Sequence, residues 1–502
     1  MKVVFFSSST NAYDGSSFHY TAYPACCTRL EELAAAHPGC EFVVVTRLPA
    51  FFLVDLESDG SFIRKARGVE YVMLDAAGNA PTAASQASSA DKALFADKAV
   101  VAISALSPDI AIAATCWMTP FDWLPLEDAL IAEKLEKAGI RTLCHSAESA
   151  SLCFDKRETH AFLKAHLFPA PESVFLDHEL YRAERSHADV VINPYKERIF
   201  AQLEKLHYPA IIKDTTGLSS FGMDVVNSPE AVRAVLDSRK MNGDRLIEEF
   251  VEGDQFGVEV YGTPGHYQVM TPFLFSVTRH GITSPKQSVK LSVSGDDAET
   301  RFKLADMRRL VTDMAEALEL RGAAQFDLVY NGASGIESGH RSSCQYGGWV
   351  VIEVNPRLSG LTVPTSVLAG KSALELLLAA TGLESASVPS CENVLSEEAA
   401  LNESGVRFEG RTAPACVLDV KLIVLADDRF EELCALPFVY AVNQTANDEA
   451  RQMRERGYCE VVLGAETPAL LLEKLDELKA RFPDELDENF VESARRLILK
   501  AY

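Results

Sequence analysis

Three polar side chains alternate along an apolar stretch, WVVIEVNPRLSG at residues 349–360. Glu353 and Asn355 are two residues apart, so on a β-strand they would project from the same face, about 7 Å apart along the chain. Pro356 would end such a strand and turn the chain, which would bring Arg357 toward the same place. One ligand could then meet a carboxylate, an amide and a guanidinium, and the planar guanidinium suits a phosphate or a carboxylate.

The stretch AAQFDLVYN at residues 323–331 supplies a second carboxylate. If it pairs with WVVIEVN as a hairpin, a symmetric register sets Asp327 opposite Glu353, with Cβ atoms about 5 Å apart. Facing carboxylates repel unless a cation lies between them, and Mg²⁺ favours carboxylate and amide oxygens together with waters and phosphates. Asp327, Glu353 and Asn355 are therefore predicted to bind Mg²⁺. The alternative is that each lies on the solvated face of its strand.

Two further stretches have features of nucleotide binding. YPAIIK reads as a strand that ends at Lys213, and the loop TTGLSSFG after it offers hydroxyls and backbone N–H groups to phosphates. LIEEFVEG reads as an apolar strand whose Glu248 and Glu249 fall at a turn, where they could bind the amino group of an adenine. The alternative for each glutamate is a surface position.

The elements that position these residues follow an α/β pattern. The first 145 residues alternate helical segments with the strand-like runs KVVFF, CEFVVVTR, VEYVML, DIAIAA and IRTLCH. This alternation predicts an open parallel sheet. The polar loop SSSTNAYDGSS, where α/β sheets tend to bind ligands, lacks G-x-G-x-x-G, which disfavours a dinucleotide site.

Later segments also have clear local signals. DKRETHAFLKAHLFPAPES predicts a helix opened by Asp155 and ended before Pro169, and the stretch DRLIEEFVEGDQFGVEVYG predicts a strand pair around Gly253. Thr467 and Pro468 are good N-cap and N1 residues for a helix near the carboxyl end. In the segment 303–320, one apolar helix face is predicted to contain Leu304, Met307, Leu310, Val311, Met314 and Leu318.

The composition restricts the function classes. The chain has 502 residues, 47% hydrophobic and 24% charged, which fits a globular protein of about two to four domains. A formal net charge of −24 repels nucleic acid and anionic membranes. Eleven cysteines without a C-x-x-C pair favour reduced thiols, and we find neither a signal-peptide core nor a long apolar run. We expect a cytoplasmic protein.

Five segments, in chain order, resemble motifs of the ATP-grasp superfamily: DKRETHAFLKAHLFPAPES, AIIKDTTGLSSFGM, LIEEFVEG, QFDLV and IEVNPRLSG. The resemblance covers residues from about 145 to 385 and implies an α/β (α+β) ATP-grasp fold. We expect an amino-terminal pre-ATP-grasp domain with an open parallel sheet at 1–145. An ATP-grasp domain would follow at 146–385, with a lid at about 172–252, and a small α/β subdomain would occupy 386–502.

The resemblance also implies roles for individual residues. Those implied to bind ATP are Lys156, Lys213, Ser219, Ser220, Gly222, Glu248, Glu249, Phe250, Val251 and Gln255. The two lysines would hold the phosphates, the Ser/Gly loop would cover them, and the stretch that begins at Glu248 would contact adenine. Mg²⁺ or Mn²⁺ would be bound by Asp327, Glu353 and Asn355, and Arg357 would stabilise the phosphoryl group and the acyl-phosphate.

The chain departs from the superfamily pattern at several places. Gln255 stands where relatives often have an acidic residue that contacts the ribose, and Asp327 stands where many have glutamate. Segments 178–207 and 332–348 look like insertions that shape a substrate entrance or decorate the surface. Four residues before the metal strands are either contacts of the acyl substrate or solvated loop residues: Arg279, His280, Lys286 and Lys290.

The implied reaction is ATP-dependent activation of a carboxylate to an acyl-phosphate, followed by attack of an amine, with amino acids or peptides as substrates. An alternative is a bicarbonate-activating enzyme related to biotin carboxylase or carbamoyl-phosphate synthetase. A second alternative is a degenerate nucleotide-binding sensor. The expected partners are a small-molecule carboxylate and an amine, with no nucleic acid and no membrane, and whether the protein is a homodimer stays open.

Overall fold

A computed structural model of the chain describes residues 1–8, 12–13, 16–17, 21–46, 52–56, 62–74, 89–116, 123–186, 189, 191–216, 223–238, 242–277, 288–332, 345–383, 407–408, 411–445 and 457–502. The nine cysteines within these ranges are free thiols. No single helix in the described parts is long and apolar enough to cross a membrane. One pair of helices, Thr362–Ala369 and Ala373–Ala380, is long and apolar enough when the two are taken together, by length and composition only, and the pair is bent by 78°.

The amino-terminal region forms the five-stranded parallel sheet that its sequence pattern predicts. Its elements are β1 Lys2–Ser7, β2 Ala12–Tyr13, β3 Ser16–Ser17, β4 Thr21–Tyr23, α1 Cys26–Ala36, β5 Glu41–Thr46, β6 Asp55–Leu56, β7 Phe62–Arg64, β8 Val69–Met73, α2 Ser89–Leu106, β9 Ile110–Ala113, α3 Leu124–Lys137 and β10 Thr142–Leu143. The sheet order is β10-β9-β1-β5-β8, and all neighbours run parallel. β1 is almost wholly buried, as expected for a parallel strand that is covered on both faces.

A smaller antiparallel sheet follows. Its region contains α4 Ala147–Phe154, α5 Lys156–Ala165, β11 Ser173–Leu176, α6 His178–Tyr181, α7 Ala183–Ser186, α8 Pro194–Leu203, β12 Ala210–Asp214, β13 Asp224–Val226, α9 Pro229–Asp237 and β14 Arg245–Glu249. The strand order is β11-β14-β12-β13. α5 begins as predicted, because the side chain of Asp155 accepts a hydrogen bond from the backbone N–H of Arg157 (2.8 Å). The described part of segment 178–207, which we expected to be an insertion, is largely helical.

The next elements build most of a ten-stranded sheet. They are β15 Asp254–Thr263, β16 His266–Val269, β17 Phe273–Phe275, β18 Lys290–Ser292, α10 Asp296–Phe302, α11 Leu304–Ala317, β19 Gly322–Tyr330, β20 Trp349–Asn355, α12 Thr362–Ala369 and α13 Ala373–Ala380. The apolar face predicted for α11 is buried in the main core. β19 and β20 pair antiparallel, as predicted.

The two strands predicted around Gly253 are present, but they do not pair with each other, because they belong to different sheets. β14 lies in the smaller sheet, whereas β15 pairs with β19 and β17 in the large one. Gly253 has a φ of 155°, and a Cβ atom there would lie 2.4 Å from the carbonyl oxygen of Tyr330. The chain therefore crosses between the sheets at a residue without a side chain.

The carboxyl-terminal elements extend the same large sheet. They are β21 Arg407–Phe408, β22 Arg411–Thr412, β23 Cys416–Leu422, α14 Asp427–Cys434, β24 Val439–Gln444, β25 Cys459–Ala465, α15 Pro468–Arg481 and α16 Glu488–Ala501. The sheet order is β20-β19-β15-β17-β18-β23-β25-β24-β4, with β16 paired to β15. Thr467 caps α15 as predicted. The expected boundary near residue 385 falls in 384–406, outside the described residues, and stays a prediction.

Candidate active site

The pair of β19 and β20 brings the predicted metal residues together. Asp327 faces Glu353 in the register that the sequence predicts, and a β-bulge follows directly between Asp327 and Leu328. Oδ1 of Asp327 accepts a hydrogen bond from Gln325 Nε2 (2.6 Å), and its Oδ2 accepts one from Asn355 Nδ2 (3.3 Å). All three predicted ligands therefore lie within one small polar cluster.

The pKa values of the two facing carboxyl groups are shifted in opposite directions. Burial, followed by the negative charge of Glu353, raises the pKa of Asp327 to about 7. Burial also acts on Glu353, but Lys156 leads the positive charges that outweigh it and lower the pKa of that carboxyl. The Nζ atom of Lys156 lies 2.9 Å from Glu353 Oε1. Asp327 thus lies in a site that disfavours its negative charge unless another cation is present.

These residues fit a divalent cation. Among the described residues no group of three His, Cys, Asp or Glu side chains could hold a metal ion, so a cation here would have two carboxylates and an amide. Hard cations accept that set when waters and phosphates complete the shell. The amide oxygen of Asn355 accepts from Arg357 Nη2 (3.2 Å), and its second lone pair could bind a cation. A bound Mg²⁺ would neutralise phosphate charge between the two carboxylates.

Lys156 is the first residue of α5. Its backbone N–H donates to the carbonyl oxygen of Thr215 (2.8 Å), one residue beyond the end of β12. The start of α5 is therefore hydrogen-bonded to the residue that follows β12, the strand that carries Lys213. The Lys156 side chain is 16% exposed and reaches the metal strands. It lies where one ligand could contact both the smaller sheet and the large sheet.

Lys213 belongs to a buried group of three ionisable side chains. β12 and β14 are neighbours with Ile211 opposite Glu248, so Lys213 and Glu248 share one sheet face. Lys213 pairs with Oε2 of Glu248, and His160 Nε2 lies 2.6 Å from the Oε1 atom. Burial opposes ionisation of Glu248, but Lys213 and His160 outweigh it and lower its pKa to about 2. Glu248 is thus the anion between two basic side chains.

The prediction that Glu248 and Glu249 fall at a turn or on the surface is wrong. Both are buried residues of β14, which continues through them because each pairs with β12. Oε1 of Glu249 accepts the backbone N–H of His207 (2.8 Å) and lies 2.9 Å from its Nδ1. Both glutamate carboxylates therefore contact basic or N–H groups of the protein itself.

The remaining predicted adenine and ribose residues lie between the two sheets. Phe250 donates its backbone N–H to Pro209 O (2.9 Å), and Val251 packs against Val329. Gln255 lies on β15. The predicted phosphate-loop residues Ser219, Ser220 and Gly222 lie outside the described residues, as does most of the expected insertion at 332–348.

Arg357 is buried two residues beyond the end of β20. Its Nη1 donates to Leu358 O (3.3 Å), and the backbone N–H of Leu358 donates to Thr115 O (3.1 Å) beside the amino-terminal sheet. Arg357 lines a cavity together with Thr115, Asp128 and His145. Burial raises the pKa of Asp128 to about 7. The cavity therefore lies between the amino-terminal sheet and the large sheet.

Of the four residues considered for the acyl substrate, the structure describes Lys290. It is not a solvated loop residue: it lies on β18 with its Nζ 2.7 Å from Asp419 Oδ2 and 3.2 Å from Glu460 Oε1. The Nζ also donates to Gly360 O (2.8 Å). Arg279, His280 and Lys286 lie outside the described residues.

Sequence reasoning missed His160, His145 and Glu259. His160 follows Lys156 by four residues on α5, so helical spacing could have placed both on one face. Glu259 stands between apolar neighbours of a buried strand, which is a signal for a buried polar contact. His145 accepts from the backbone N–H of Arg321 (3.1 Å), so its other nitrogen carries the hydrogen that it donates to Ala323 O (2.9 Å).

Comparison with known proteins agrees with this architecture. Residues 153–361 match the ATP-grasp domain family. The chain is 28% identical over 130 residues to a D-alanine–D-alanine ligase of Clostridium perfringens, covering 26% of this chain and 38% of that protein. It is 30% identical over 138 residues to the corresponding ligase of a Polaromonas species, covering 27% and 37%. The chain thus matches less than half of the length of these relatives.

Solved structures are similar over nearly the whole chain. An L-amino acid ligase of Bacillus licheniformis has a TM-score of 0.54 at 16% identity, with 97% of each chain covered. The N5-carboxyaminoimidazole ribonucleotide synthetase of Thermus thermophilus has a TM-score of 0.54 at 15% identity, with 96% of this chain and 98% of that chain covered. At these identities the likeness concerns the fold alone. Residues 153–361 form a domain of the ATP-grasp superfamily.

Proposed function

We propose that the protein is an ATP- and Mg²⁺-dependent ligase that activates a carboxylate as an acyl-phosphate and condenses it with an amine. The observation that carries the proposal is the convergence of Lys156, Lys213 and Arg357 on the facing carboxylates Asp327 and Glu353. A nucleotide-binding module without turnover would not need a metal site and a buried arginine together.

The residues suggest how the reaction would proceed. A carboxylate oxygen of the substrate attacks the γ-phosphorus of ATP, and ADP leaves. The amine then attacks the acyl carbon, phosphate leaves, and the amine nitrogen releases a proton. Lys156 and Lys213 neutralise the nucleotide phosphates, and Arg357 stabilises charge on the transferring group, because phosphoryl transfer depends on positioning and electrostatics.

Amino acids or peptides are the substrates that we favour. The curated relatives are named D-alanine–D-alanine ligases, and one structural neighbour is named an L-amino acid ligase. Bicarbonate is the competing carboxylate, since biotin carboxylases have similar folds. The reduced cysteines favour a cytoplasmic location.

The first experiment is phosphate release from ATP and Mg²⁺, screened against pooled amino acids and separately against bicarbonate. Release that requires an amino-acid pair, with the mass of the condensed product, would support the proposal. Release driven by bicarbonate alone would place the protein with the carboxylases. Nucleotide binding without release in any pool would favour the sensor function. The Arg357→Ala variant is the control for contaminating phosphatase.

A further inference from the structure

A buried carboxylate lies directly behind the segment that carries Arg357. Glu259 on β15 is 1% exposed. Its Oε1 accepts hydrogen bonds from Ser359 Oγ (2.7 Å) and Thr362 Oγ1 (2.6 Å). Its Oε2 accepts one from the hydroxyl of Tyr261 (2.9 Å). One strand of the large sheet is therefore bonded to the residues that follow the arginine.

The same two hydroxyls fix the backbone of this segment. Ser359 Oγ accepts from the backbone N–H of Leu361 (3.0 Å), and Thr362 Oγ1 accepts from the backbone N–H of Ser359 (2.8 Å). Each hydroxyl donates to Glu259 and accepts from the chain, so the carboxylate determines where both hydroxyl hydrogens point. Carboxylate, hydroxyls and backbone form one connected network.

Lys290 holds the segment from another strand. Its Nζ donates to Gly360 O (2.8 Å), while Asp419 and Glu460 bind the same ammonium group. The backbone between Ser359 and Thr362 is thus bound by a buried anion through hydroxyls and by a buried cation through a carbonyl.

The buried carboxyl group of Glu259 carries a desolvation cost. Burial raises its pKa in spite of the hydroxyl donors and the positive charge of Arg357, so the folded protein disfavours the ionised form. A glutamine of the same shape would avoid that desolvation penalty.

We propose that Glu259 and Lys290 are positioning residues that hold 357–362 so that the guanidinium of Arg357 meets the transferring phosphoryl group. The proposal rests on the proposed function, because that reaction gives Arg357 its task. A displacement of about 1 Å in such a group can lower a rate by about a hundredfold.

The kinetic test uses Glu259→Gln and the milder Ser359→Ala, with phosphate release from ATP, Mg²⁺ and pooled amino acids. We expect kcat to fall between about tenfold and a hundredfold, while KM for ATP and the Kd for ADP stay within about twofold. Thermal unfolding of Glu259→Gln should occur no lower than in the wild type. Glu375→Gln, which removes a carboxylate that accepts a backbone N–H at the start of α13, is the matched control and should keep the wild-type kcat.

The coupling to Arg357 is tested in the Arg357→Lys background. If Glu259 acts through the guanidinium, Glu259→Gln should lower the residual rate by less than about twofold there. An equal loss in both backgrounds would overturn the positioning role.

Hydrogen exchange gives a measurement that needs no turnover. The backbone amides of Ser359 and Leu361 should exchange faster in Glu259→Gln than in the wild type, and unchanged exchange with unchanged kcat would overturn the proposal. If exchange is faster in the variant but the wild type releases phosphate in no pool, the hydrogen-bond network around Glu259 would be supported and the proposed reaction would be excluded. The two failures are therefore distinguishable.

Discussion

Replacing Glu248 with glutamine separates two roles for this residue. The sequence motif implies that it contacts adenine, whereas the structure places its carboxylate between Lys213 and His160. In the second arrangement, Glu248→Gln leaves a buried ammonium group without its anion. Removal of one partner of a buried pair is strongly destabilising, because the remaining charge stays buried without compensation.

The size of the effect follows from the pKa of Glu248. Lys213 and His160 lower it from 4.5 to about 2 against the effect of burial. One pKa unit corresponds to about 1.4 kcal/mol, so the ionised carboxylate contributes about 3 kcal/mol to the free energy of unfolding. The folded-state pKa is depressed, so this contribution is present above pH 4.5 and is lost as the pH falls through 2.

The assay is urea unfolding of wild type and variant at pH 7 and in steps down to pH 2.5, together with calorimetric titrations of ATP and of GTP. Glu248→Gln should unfold with about 3 kcal/mol less stability at pH 7, and the two curves should converge in acid. Glu249→Gln is the matched control, since that neighbouring carboxylate contacts His207, whose side chain is 79% exposed. Wild-type stability combined with a loss of discrimination between ATP and GTP would refute our reasoning and assign Glu248 to adenine.

Three other changes test the rest of the site. Arg357→Ala should abolish phosphate release while the Kd for ADP stays within about tenfold, as measured by calorimetry; an equal loss of both would contradict its catalytic role. Mg²⁺ should raise the affinity for ADP at least about tenfold in the wild type and much less in Glu353→Gln, and equal gains would exclude Glu353 as a ligand. Burial lowers the pKa of His145 to about 4, below its ordinary 6.5, so the free energy of unfolding should rise between pH 4 and 6.5. His145→Gln should flatten that rise in urea titrations, and an unchanged slope would show that other groups cause it.

Local patterns predicted the pairing of β19 with β20 correctly. The alternation of polar residues, together with a symmetric hairpin register, placed Asp327 opposite Glu353, and this register holds from Gln325 to Asp327, where a β-bulge follows. The same reasoning failed at Glu248, whose partner Lys213 lies on a neighbouring strand of the smaller sheet. Two adjacent glutamates after an apolar run resemble exposed residues of a turn, and only tertiary pairing shows that both are buried in β14.

Local sequence patterns could not predict which distant strands become neighbours in the large sheet. β23 joins the ATP-grasp strands through β18, and β4 from the amino-terminal region pairs with β24 at the far edge of the same sheet. No local signal states which distant strand will be a neighbour, since register and burial pattern restrict a strand's faces but not its partner. His160 is an intermediate case, because helical spacing relates it to Lys156, whereas its contact with Glu248 requires the folded sheet.

The pairing of charges explains how an acidic chain can hold an anionic ligand. Lys156 is bonded to Glu353 and Lys213 to Glu248, so both cations that we assign to phosphates are neutralised within the protein. Such pairing compensates the positive charge of the two lysines, since a buried charge without a partner is costly. A divalent cation bound with the nucleotide would replace Lys156 as the partner of Glu353 and release that ammonium to the phosphates. Metal and nucleotide should therefore bind together. The metal would take the place of Lys156 at Glu353, and the phosphates would then pair with the ammonium group of Lys156.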